Sequence, residues 1–565
     1  MDLLYFFIND PDRDIINIGI DFNGKYHVEF DPISKLFDIK ENENYIPDFF
    51  GKHVSNCNLL LGKNGVGKSS ILSTLAVGSN TNEYYYFNED KYWFALYYSL
   101  KRDCFFIEGI NAKKVLYDYS NYYYTNEWDE LSDMFRSYVS FSPKKHTLEK
   151  IIIDYNIDYV NVKNQIQYTY MASAITASWY QHDKSTGSNY WIPRRNISDS
   201  ILINLYKSIR SNKNFNSANT KFILNFKQEE LYKLCNLPLN DNELPSIIPI
   251  IRDFAPNLIE KEFYIVNAYI SIFWVLYSEL LKIKHPDSNS IFKKFVQITH
   301  ETSYSNMVTK LKELCVLENR ITVHPFHSHY FSNSFFSLMN KLEVVILSLN
   351  DTNYRILADD YGSSYIEITD GGILNQSISE LFNIVTEIKK EFTGDFLFDI
   401  KITGLSDGEI EFINKYSSVY NCIIAALEDK YQKLILCIDE PDSRFHPEWS
   451  RNFVKDVIDI IEDIGEIDVH LIFTSHSPFL ASDIPNSNII CLEKQTVDDR
   501  NITVIKKSTA GFGSNIYDIL KDSFFMEDAM GAFAKEKINS ISENDDTLNE
   551  ITIFNKSNNS FQYIP

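Results

Sequence analysis

The chain has 565 residues, and its formal net charge of −23 argues against a protein that coats nucleic acid through its average electrostatic field. Hydrophobic residues make up 44% of the chain and charged residues 23%, which is typical of a globular protein and excludes a wholly disordered one. The length is enough for two to four structural units.

Cysteine usage and the start of the chain favour a cytoplasmic protein. The seven cysteines are scattered and form no C-x-x-C pair, so we expect neither a disulfide framework nor a zinc cluster. The first residues, MDLLYFFINDPDRD, lack the basic region of a signal peptide. The most apolar run, residues 263–278, is too short for a comfortable span of a bilayer and predicts a buried helix, so we expect no membrane association.

The N-terminal residues predict strands. Residues 3–8 and 16–31 have strand-like composition, and the sequence FNGKY within the second stretch is typical of a hairpin turn with Asn-Gly at its centre. We therefore expect a β-rich part that leads into the first motif.

The first motif is LLLGKNGVGKSSILSTL, residues 59–75. The leading apolar run predicts a buried strand and the trailing one predicts the start of a helix, so the glycine-rich turn between them forms a cradle of backbone N–H groups for phosphate. The spacing of Gly62, Gly67, Lys68 and Ser69 fits the P-loop pattern G-x-x-x-x-G-K-S/T. In such a loop Lys68 reaches the β- and γ-phosphates, and Ser69 binds Mg²⁺ through its hydroxyl.

Patterning along the chain predicts four segments. Residues 1–195 form an N-terminal lobe with the P-loop, and residues 196–395 are mainly helical because their apolar positions recur at helical spacing. Residues 396–510 form a C-terminal lobe of strands and helices, and residues 511–565 form a helical tail. No heptad pattern is sustained, so we expect no long coiled-coil arm.

A second turn that could bind phosphate lies in ITGLSDGEIEF, residues 402–412. Ser406 and Gly408 precede a helix that we expect from about Glu409, and a helix N-terminus favours a bound anion. One active site does not need two such helix N-termini for one γ-phosphate. A second one makes sense if it serves the nucleotide of a neighbouring subunit.

The carboxylate that Mg²⁺ needs is predicted in KLILCIDEPD, residues 433–442. The apolar run predicts a strand buried on both faces, and Asp439 stands at its carboxyl end, where open α/β sheets bind ligands. Glu440 follows at once and is placed to polarise an attacking water. Without a P-loop in the same chain, a strand that simply ends in surface acids would be an equally good interpretation.

The last motif is HLIFTSHSPFL, residues 470–480, an apolar run that ends in Thr474, Ser475 and His476. His476 would stand at a strand end, within reach of a γ-phosphate or of the attacking water. A single histidine is more often structural, so this motif gains its meaning from the other three.

In this order the four motifs resemble those of the ABC-type ATPases: Walker A, signature, Walker B with its catalytic glutamate, and switch histidine. The form GKNGVGKSS is similar to the branch that contains the SMC and RecF proteins, and IDEPDSRFHPEW, residues 438–449, resembles RecF-like and OLD-like bacterial ATPases. Transporter ATPases usually lack that His-Pro string. The resemblance implies an α/β fold: an ABC-type P-loop ATPase head with a mixed sheet, flanking helices, an N-terminal antiparallel β part and a large helical insertion.

The resemblance also implies roles for single residues. Asp439 and Ser69 would bind Mg²⁺, Glu440 would be the general base, His476 would sense the γ-phosphate, and Lys68 would act in catalysis. Ser406 and Gly408 would act in trans across a head-to-head dimer that holds two ATP molecules. The family's Q-loop glutamine has no clear match, because YVSFSPKK, residues 138–145, occupies the expected position without a glutamine. The residues around the phosphates would be Gly62, Lys63, Asn64, Gly65, Val66, Gly67, Lys68, Ser69 and Ser70.

The tail, residues 511–538, is similar to that of ATPase subunits of Septu anti-phage systems (PtuA) and of retrons that use the Septu pair. No Toprim or HNH nuclease pattern is visible in the chain. The resemblance implies an ATP-gated scaffold that controls a partner HNH nuclease, in retrons together with a reverse transcriptase and its RNA–DNA hybrid. It also implies a homodimer through ATP-sandwiched heads, or a higher oligomer.

Two other interpretations remain open at this stage. The chain could be a RecF-like or SMC-like repair ATPase that binds DNA directly, which would require basic residues to converge on the dimer groove. It could also be an ATP-dependent clamp with negligible turnover, although the intact Glu440 and His476 argue against an inactive site.

Overall fold

The structure is a computed structural model in two compact units, and each unit is described by itself. The first unit comprises Met1–Ile192, Ala425–Ser443 and Pro447–Pro565, and the second comprises Pro193–Ile424 and Arg444–His446. The residues that the structure describes are 2–78, 90–100, 104–110, 112–116, 134–140, 150–152, 166–171, 178–183, 188–193, 220–226, 259–282, 284–301, 303–322, 333–349, 354–358, 364–369, 376–391, 398–443, 445–497, 500–522 and 531–536.

An eight-stranded sheet forms the centre of the first unit. Its strands are β5 (Val54–Gly62), β10 (Ile166–Met171), β11 (Ser178–Asp183), β12 (Ser188–Pro193), β17 (Lys433–Asp439), β18 (Asp468–Ser475), β19 (Ile489–Val497) and β20 (Arg500–Lys507). Their order in the sheet is β12-β11-β10-β17-β18-β5-β19-β20. The five strands from β10 to β19 are parallel, and β11 and β20 pair antiparallel at either side.

Parallel strands in the middle of a sheet are covered on both faces, and this explains the continuous apolar runs in the motifs. All seven residues of β17 are buried, and the described helices α1 (Lys68–Gly78) and α9 (Pro447–Ile464) follow β5 and β17 in the chain. The three runs that precede the P-loop, Asp439 and His476 thus lie side by side and end at one edge of the sheet. This edge is the carboxyl edge, where α/β sheets bind ligands.

A second sheet supplies the antiparallel part of the first unit. It contains β1 (Asp2–Asp10), β2 (Ile15–Asp21), β6 (Tyr92–Ser99), β7 (Cys104–Ile110), β8 (Met134–Ser140) and β9 (Lys150–Ile152), in the order β2-β1-β6-β7-β8-β9. A hairpin of β3 (Tyr26–Asp31) and β4 (Leu36–Glu41) stands beside it. One core cluster joins both sheets and α1 through residues such as Phe6, Leu60, Ile71, Trp93 and Ile435.

The predicted hairpin at FNGKY is wrong. β2 pairs with β1, and β3 pairs with β4, so Asn23 and Gly24 connect strands of different sheets. Phe22 continues the pairing with β1, since its N–H donates to the carbonyl of Leu4 beside the pair Tyr5 and Asp21. Asn23 has a positive φ of 50°, as in an Asn-Gly turn, but a turn of this kind does not by itself decide which strands pair.

The second unit combines helices with a four-stranded antiparallel sheet. The sheet has the order β14-β15-β13-β16, with β13 (Lys221–Phe226), β14 (Tyr354–Ala358), β15 (Ser364–Thr369) and β16 (Phe398–Thr403). Among the described residues its helices are α3 (Glu260–Lys282), α4 (Ser288–Thr299), α5 (Tyr304–Thr322), α6 (Asn333–Ser348), α7 (Gln376–Glu391) and α8 (Asp407–Glu428), which from Ala425 onward belongs to the first unit. The segment 196–395 was predicted as mainly helical, and the three strands β13 to β15 within it were not predicted.

The apolar run 263–278 lies in α3 and is buried in the core of the second unit, as predicted. Its Phe273 stacks on Phe295 of α4 with ring centroids 3.9 Å apart, and Trp274 packs against the same ring. Among the helices that the structure describes, we find none with the length and apolar character needed to cross a membrane.

The remaining described helices are short. They are α2 (Lys113–Leu116), α10 (Pro478–Ala481), α11 (Ile516–Asp522) and residues 532–536, and single 3₁₀ turns cover Pro11–Arg13 and Asn486–Asn488. Of the predicted helical tail 511–565, residues 523–530 and 537–565 lie outside the described residues.

A histidine in the sheet core makes the first unit sensitive to acid. His470 of β18 is 1% exposed, and its Nε2 lies 2.7 Å from Asn58 Oδ1. Burial, reinforced by the nearby Lys433 ammonium, lowers the pKa of His470 to about 3. The unfolded chain therefore binds a proton on His470 below its ordinary pKa of about 6.5, and the folded chain does not.

We expect the free energy of unfolding to fall as the pH drops from 6.5 toward 3, with His470 contributing about 1.4 kcal/mol per pH unit. The variant His470→Gln keeps an N–H donor for Asn58 but cannot titrate. Urea unfolding of both proteins at pH 7, 6 and 5 measures the difference, and the variant should lose less stability per pH unit. Parallel pH dependences would contradict the role given to His470.

Candidate active site

The turn after β5 has a shape that only glycine allows at two positions. Gly62 has a φ of 151°, and a Cβ there would lie 2.3 Å from the carbonyl oxygen of Leu492. Gly67 has a φ of 97°, and its Cβ would meet Ile15 at 3.0 Å. The turn therefore closes tightly between β5 and α1, and the N-terminus of α1 faces the carboxyl edge of the sheet.

The turn presents polar residues outward and one apolar residue inward. Lys63, Asn64 and Gly65 are exposed, whereas the Val66 side chain is buried in the core between the two sheets. The carbonyl of Val66 accepts a hydrogen bond from Thr503 Oγ1 of β20 at 2.9 Å. This anchor fixes the middle of the loop, and the exposed residues that precede Val66 remain open to a ligand.

Lys68 lies at the start of α1 and folds back under the loop. Its Nζ donates to the carbonyl of Gly62 at 2.8 Å and to that of Lys63 at 3.2 Å, and the residue is only 5% exposed. Burial lowers the pKa of Lys68, and the nearby carboxylates of Glu440 and Asp439 partly oppose this effect. A cation held beneath a row of loop N–H groups is suited to bind phosphate.

Asp439 is the last residue of β17, and its carboxylate accepts hydrogen bonds from three hydroxyl groups. Its Oδ1 accepts from Ser69 Oγ at 3.1 Å and from Thr474 Oγ1, and its Oδ2 accepts from Tyr170 Oη at 3.1 Å. Because Asp439 and Thr474 face each other in the parallel register of β17 and β18, the carboxylate is held by both neighbouring strands. Burial, together with the Asp439 carboxylate, raises the pKa of the Tyr170 hydroxyl.

Glu440 follows Asp439 in a conformation that turns the chain away from the strand. Its φ is 45°, and its N–H bonds both to the carbonyl of Thr474 at 3.1 Å and to Thr474 Oγ1 at 3.0 Å. A positive φ at a residue other than glycine is uncommon, and here two hydrogen bonds hold that conformation in place. The turn brings the Glu440 carboxylate toward His476.

One nitrogen of His476 lies between a carboxylate and an ammonium group. His476 Nε2 is 2.9 Å from Glu440 Oε1 and 3.1 Å from Lys68 Nζ. A protonated Nε2 donates to Glu440, whereas a bare Nε2 accepts from Lys68, so a neutral ring serves one partner at a time. His476 Nε2 is therefore a contact that the P-loop lysine and Glu440 share.

The loop that carries His476 is pinned by a short chain of hydrogen bonds. Ser475 Oγ donates to Asp442 Oδ1 at 2.9 Å and accepts from the N–H of Ser477 at 2.8 Å. Ser475 thus ties the turn after β18 to the turn after β17. The spacing of Glu440 and His476 consequently depends on residues that need not touch a ligand.

The structure brings together five predicted site residues: Lys68, Ser69, Asp439, Glu440 and His476. Lys68 and His476 are 408 residues apart in the sequence. Two further predicted residues, Ser406 and Gly408, belong to the second unit. Ser406 caps α8: its N–H and Oγ both donate to Glu409 Oε2, at 2.7 and 2.8 Å. This is a capping box, and the role of Ser406 in trans stays a prediction.

Sequence reasoning missed the role of Tyr170, and it named Thr474 only as the end of a strand. It also placed the family's Q-loop near YVSFSPKK, but residues 134–140 form β8 of the antiparallel sheet, and residues 141–145 lie outside the described part of the chain. β10 is the neighbour of β17 on the side away from β18, and Tyr170 near its end donates a hydrogen bond to Asp439. An apolar strand with alternating tyrosines was the available signal, but it does not reveal a sheet neighbour.

The oxygen atoms at the site fit a magnesium ion. Ser69 Oγ and Asp439 Oδ1 are 3.1 Å apart, and both are hard oxygen ligands. Mg²⁺ typically uses one or two carboxylates together with substrate phosphates, so the cation would complete its shell with nucleotide and water. Ser69 and Asp439 are the residues that would hold it.

A comparison with known protein families gives a match over part of the chain. Residues 326–483 match a family described as "AAA domain, putative AbiEii toxin, Type IV TA system". The matched segment contains Asp439, Glu440 and His476, and it ends ahead of β19. A search of the curated proteins found no significant match. The α/β sheet, the P-loop turn and this match together support a P-loop ATPase.

Proposed function

We propose that this chain is the ATP-binding and ATP-hydrolysing subunit of a bacterial anti-phage defence system of the Septu or retron type. In this proposal it is an ATP-gated scaffold that controls a partner HNH nuclease. The observation that carries the ATPase part is the convergence of Lys68 and Ser69 with Asp439, Glu440 and His476 at one edge of the sheet.

The arrangement divides the chemistry of ATP hydrolysis among these side chains. Lys68 and the N-terminus of α1 would neutralise the β- and γ-phosphates, which is most of what such enzymes contribute to phosphoryl transfer. Bound Mg²⁺ would supply further charge neutralisation next to Ser69 and Asp439. Glu440 would orient the attacking water and accept its proton, and His476 would report the γ-phosphate to Glu440 through the shared Nε2.

The defence part of the proposal has two supports outside the site. The tail, residues 511–538, and the motif order are similar to those of Septu and retron ATPases. The net charge of −23 is better suited to a scaffold that holds another protein than to a chain that must itself wrap duplex DNA.

The partners follow from the same resemblance. A homodimer with two ATP molecules between its heads would use Ser406 and Gly408 of one subunit against the P-loop of the other, and a higher oligomer would repeat this contact. In a retron, a reverse transcriptase with its RNA–DNA hybrid would join the complex with the HNH nuclease.

The experiment that tests the proposal is co-expression with the neighbouring genes, followed by affinity purification of the wild-type chain and of Glu440→Gln. We expect a small nuclease, with or without an RNA–DNA hybrid, to co-purify, and we expect the variant to change its retention or ATP-dependent release. An ATPase that elutes alone and turns over faster with added DNA would instead support a RecF-like or SMC-like repair enzyme and overturn the defence assignment.

A further inference from the structure

The two oxygens of the Asp439 carboxylate have different surroundings. Oδ1 accepts hydrogen bonds from the Thr474 hydroxyl and, at 3.1 Å, from the Ser69 hydroxyl, and the Ser69 hydroxyl marks the side at which a magnesium ion would bind. Oδ2 accepts the hydroxyl of Tyr170 at 3.1 Å. Asp439 and Tyr170 are each 6% exposed, so bulk water is a poor substitute for either partner.

The position of Tyr170 follows from the sheet. β10 is the parallel neighbour of β17, and Tyr170 lies opposite Cys437, two residues before Asp439. The ring belongs to the core cluster between the two sheets of the first unit, so packing holds the hydroxyl in place. Because packing fixes the ring, the Tyr170 hydroxyl stays within hydrogen-bonding distance of Asp439 Oδ2.

We propose that Tyr170 is a positioning residue that reserves Oδ2 and leaves the metal a single oxygen of Asp439, and that it thereby favours Mg²⁺ over Ca²⁺. This inference rests on the proposed ATPase function of the same site. It assigns Tyr170 a place that sequence patterns for P-loop ATPases did not indicate.

The discrimination arises from the different coordination of the two ions. Mg²⁺ requires near-octahedral geometry with bonds of about 2.0–2.1 Å, and one carboxylate oxygen suits that geometry. Ca²⁺ takes about 6–8 oxygens at about 2.3–2.6 Å and accepts both oxygens of a carboxylate. A carboxylate that is free to rotate and to offer both oxygens would therefore lose preference for the smaller ion.

The test uses Tyr170→Phe, which keeps the packed ring and removes the hydroxyl. A fluorescent, non-hydrolysable ATP analogue is titrated with MgCl₂ or CaCl₂, so the readout is cation-dependent nucleotide binding and not turnover. Loss of a residue that orients a ligand typically costs about 10–100-fold in metal affinity. We expect the half-saturating Mg²⁺ concentration to rise about 10-fold and that of Ca²⁺ to change by less than about 2-fold.

Tyr168→Phe is the matched control. Tyr168 lies on the same strand, is buried, and its hydroxyl bonds to that of Tyr97 and not to Asp439. This control should leave the Mg²⁺ to Ca²⁺ ratio unchanged, and the melting temperatures of both variants show whether the fold survives the loss of a buried hydroxyl.

The outcomes separate the two proposals. If the wild-type protein binds no nucleotide in a cation-dependent way, the proposed ATPase function fails. If the wild type binds with Mg²⁺ but Tyr170→Phe shows the same preference as Tyr168→Phe, or loses both cations equally, the inference about Tyr170 is overturned and the ATPase function stands.

Discussion

Glu440→Gln is expected to stop ATP hydrolysis while the protein continues to bind nucleotide. Glutamine has the size of glutamate and can still hydrogen-bond His476 Nε2, which lies 2.9 Å from Glu440 Oε1. It cannot accept a proton from the attacking water. Loss of a general base typically costs about 10²–10⁴-fold in rate, so phosphate release should fall by that factor, and equilibrium binding of a fluorescent ATP analogue should be unchanged.

The control for this variant is Glu466→Gln, which makes the same change in an exposed residue between α9 and β18. It should hydrolyse ATP like the wild-type protein. Full activity in Glu440→Gln would show that another group accepts the proton. Loss of nucleotide binding in the same variant would show that Glu440 holds the site together and does not act only on water.

Much of this site follows from the sequence because its motifs end parallel strands. A buried parallel strand is recognisable as a continuous apolar run, and the carboxyl ends of neighbouring strands meet at one edge of a sheet. The polar residues that follow such runs, namely Lys68 with Ser69, Asp439 with Glu440, and His476, could therefore be grouped although hundreds of residues separate them. The structure places these side chains within hydrogen-bonding distance of their neighbours in the group.

Tyr170 could not be found in this way, because its role depends on which strand lies beside β17. Tyr170 and Asp439 are 269 residues apart in the sequence. The stretch IQYTYM, residues 166–171, predicts a strand but does not indicate which strand it pairs with. Sheet order is a property of the whole unit and not of a local pattern. The same limit explains the wrong hairpin at FNGKY, where the Asn-Gly turn was recognised but the pairing of β2 with β1 was not.

The strands β13, β14 and β15 were missed for a different reason. They are only five or six residues long and lie in a segment dominated by helical spacing. In β15 the side chains of Ile366 and Ile368 are buried and those beside them are not, which is the alternation of a half-covered strand. A short alternating run of this kind is a weak signal when the helices around it are long.

Lys68→Met is expected to change stability and ligand binding in opposite directions. Burial lowers the pKa of Lys68, which means that folding disfavours its charge when no phosphate is bound. Methionine keeps an unbranched side chain of similar length and carries no charge. The free variant should therefore melt no lower than the wild-type protein, and we expect a gain in the free energy of unfolding within the range of about 0.5–2 kcal/mol that single stabilising substitutions commonly give.

With nucleotide present, the order of the two proteins should reverse. ATP at 100 times its dissociation constant stabilises a protein by about 2.7 kcal/mol, and the wild-type chain should show this as a rise in melting temperature. Lys68→Met should show little rise, and its hydrolysis should fall by about 10²–10³-fold because a preorganised donor to the phosphates is gone. Lys68→Arg should not restore either property, since a planar guanidinium does not fit the position where one ammonium meets the carbonyls of Gly62 and Lys63 at 2.8 and 3.2 Å.

Thermal unfolding of the three proteins with and without ATP and MgCl₂ separates the effects. If free Lys68→Met melts below the wild type, the bonds from Lys68 to Gly62 and Lys63 support the loop more than burial of the ammonium weakens it. If the variant keeps the full ATP-dependent rise, the phosphates do not bind at Lys68, and the ATPase assignment falls with this result. A stable free variant that ATP no longer protects would show that the lysine is maintained at a cost in stability, because the phosphates of ATP require a cation beneath the loop.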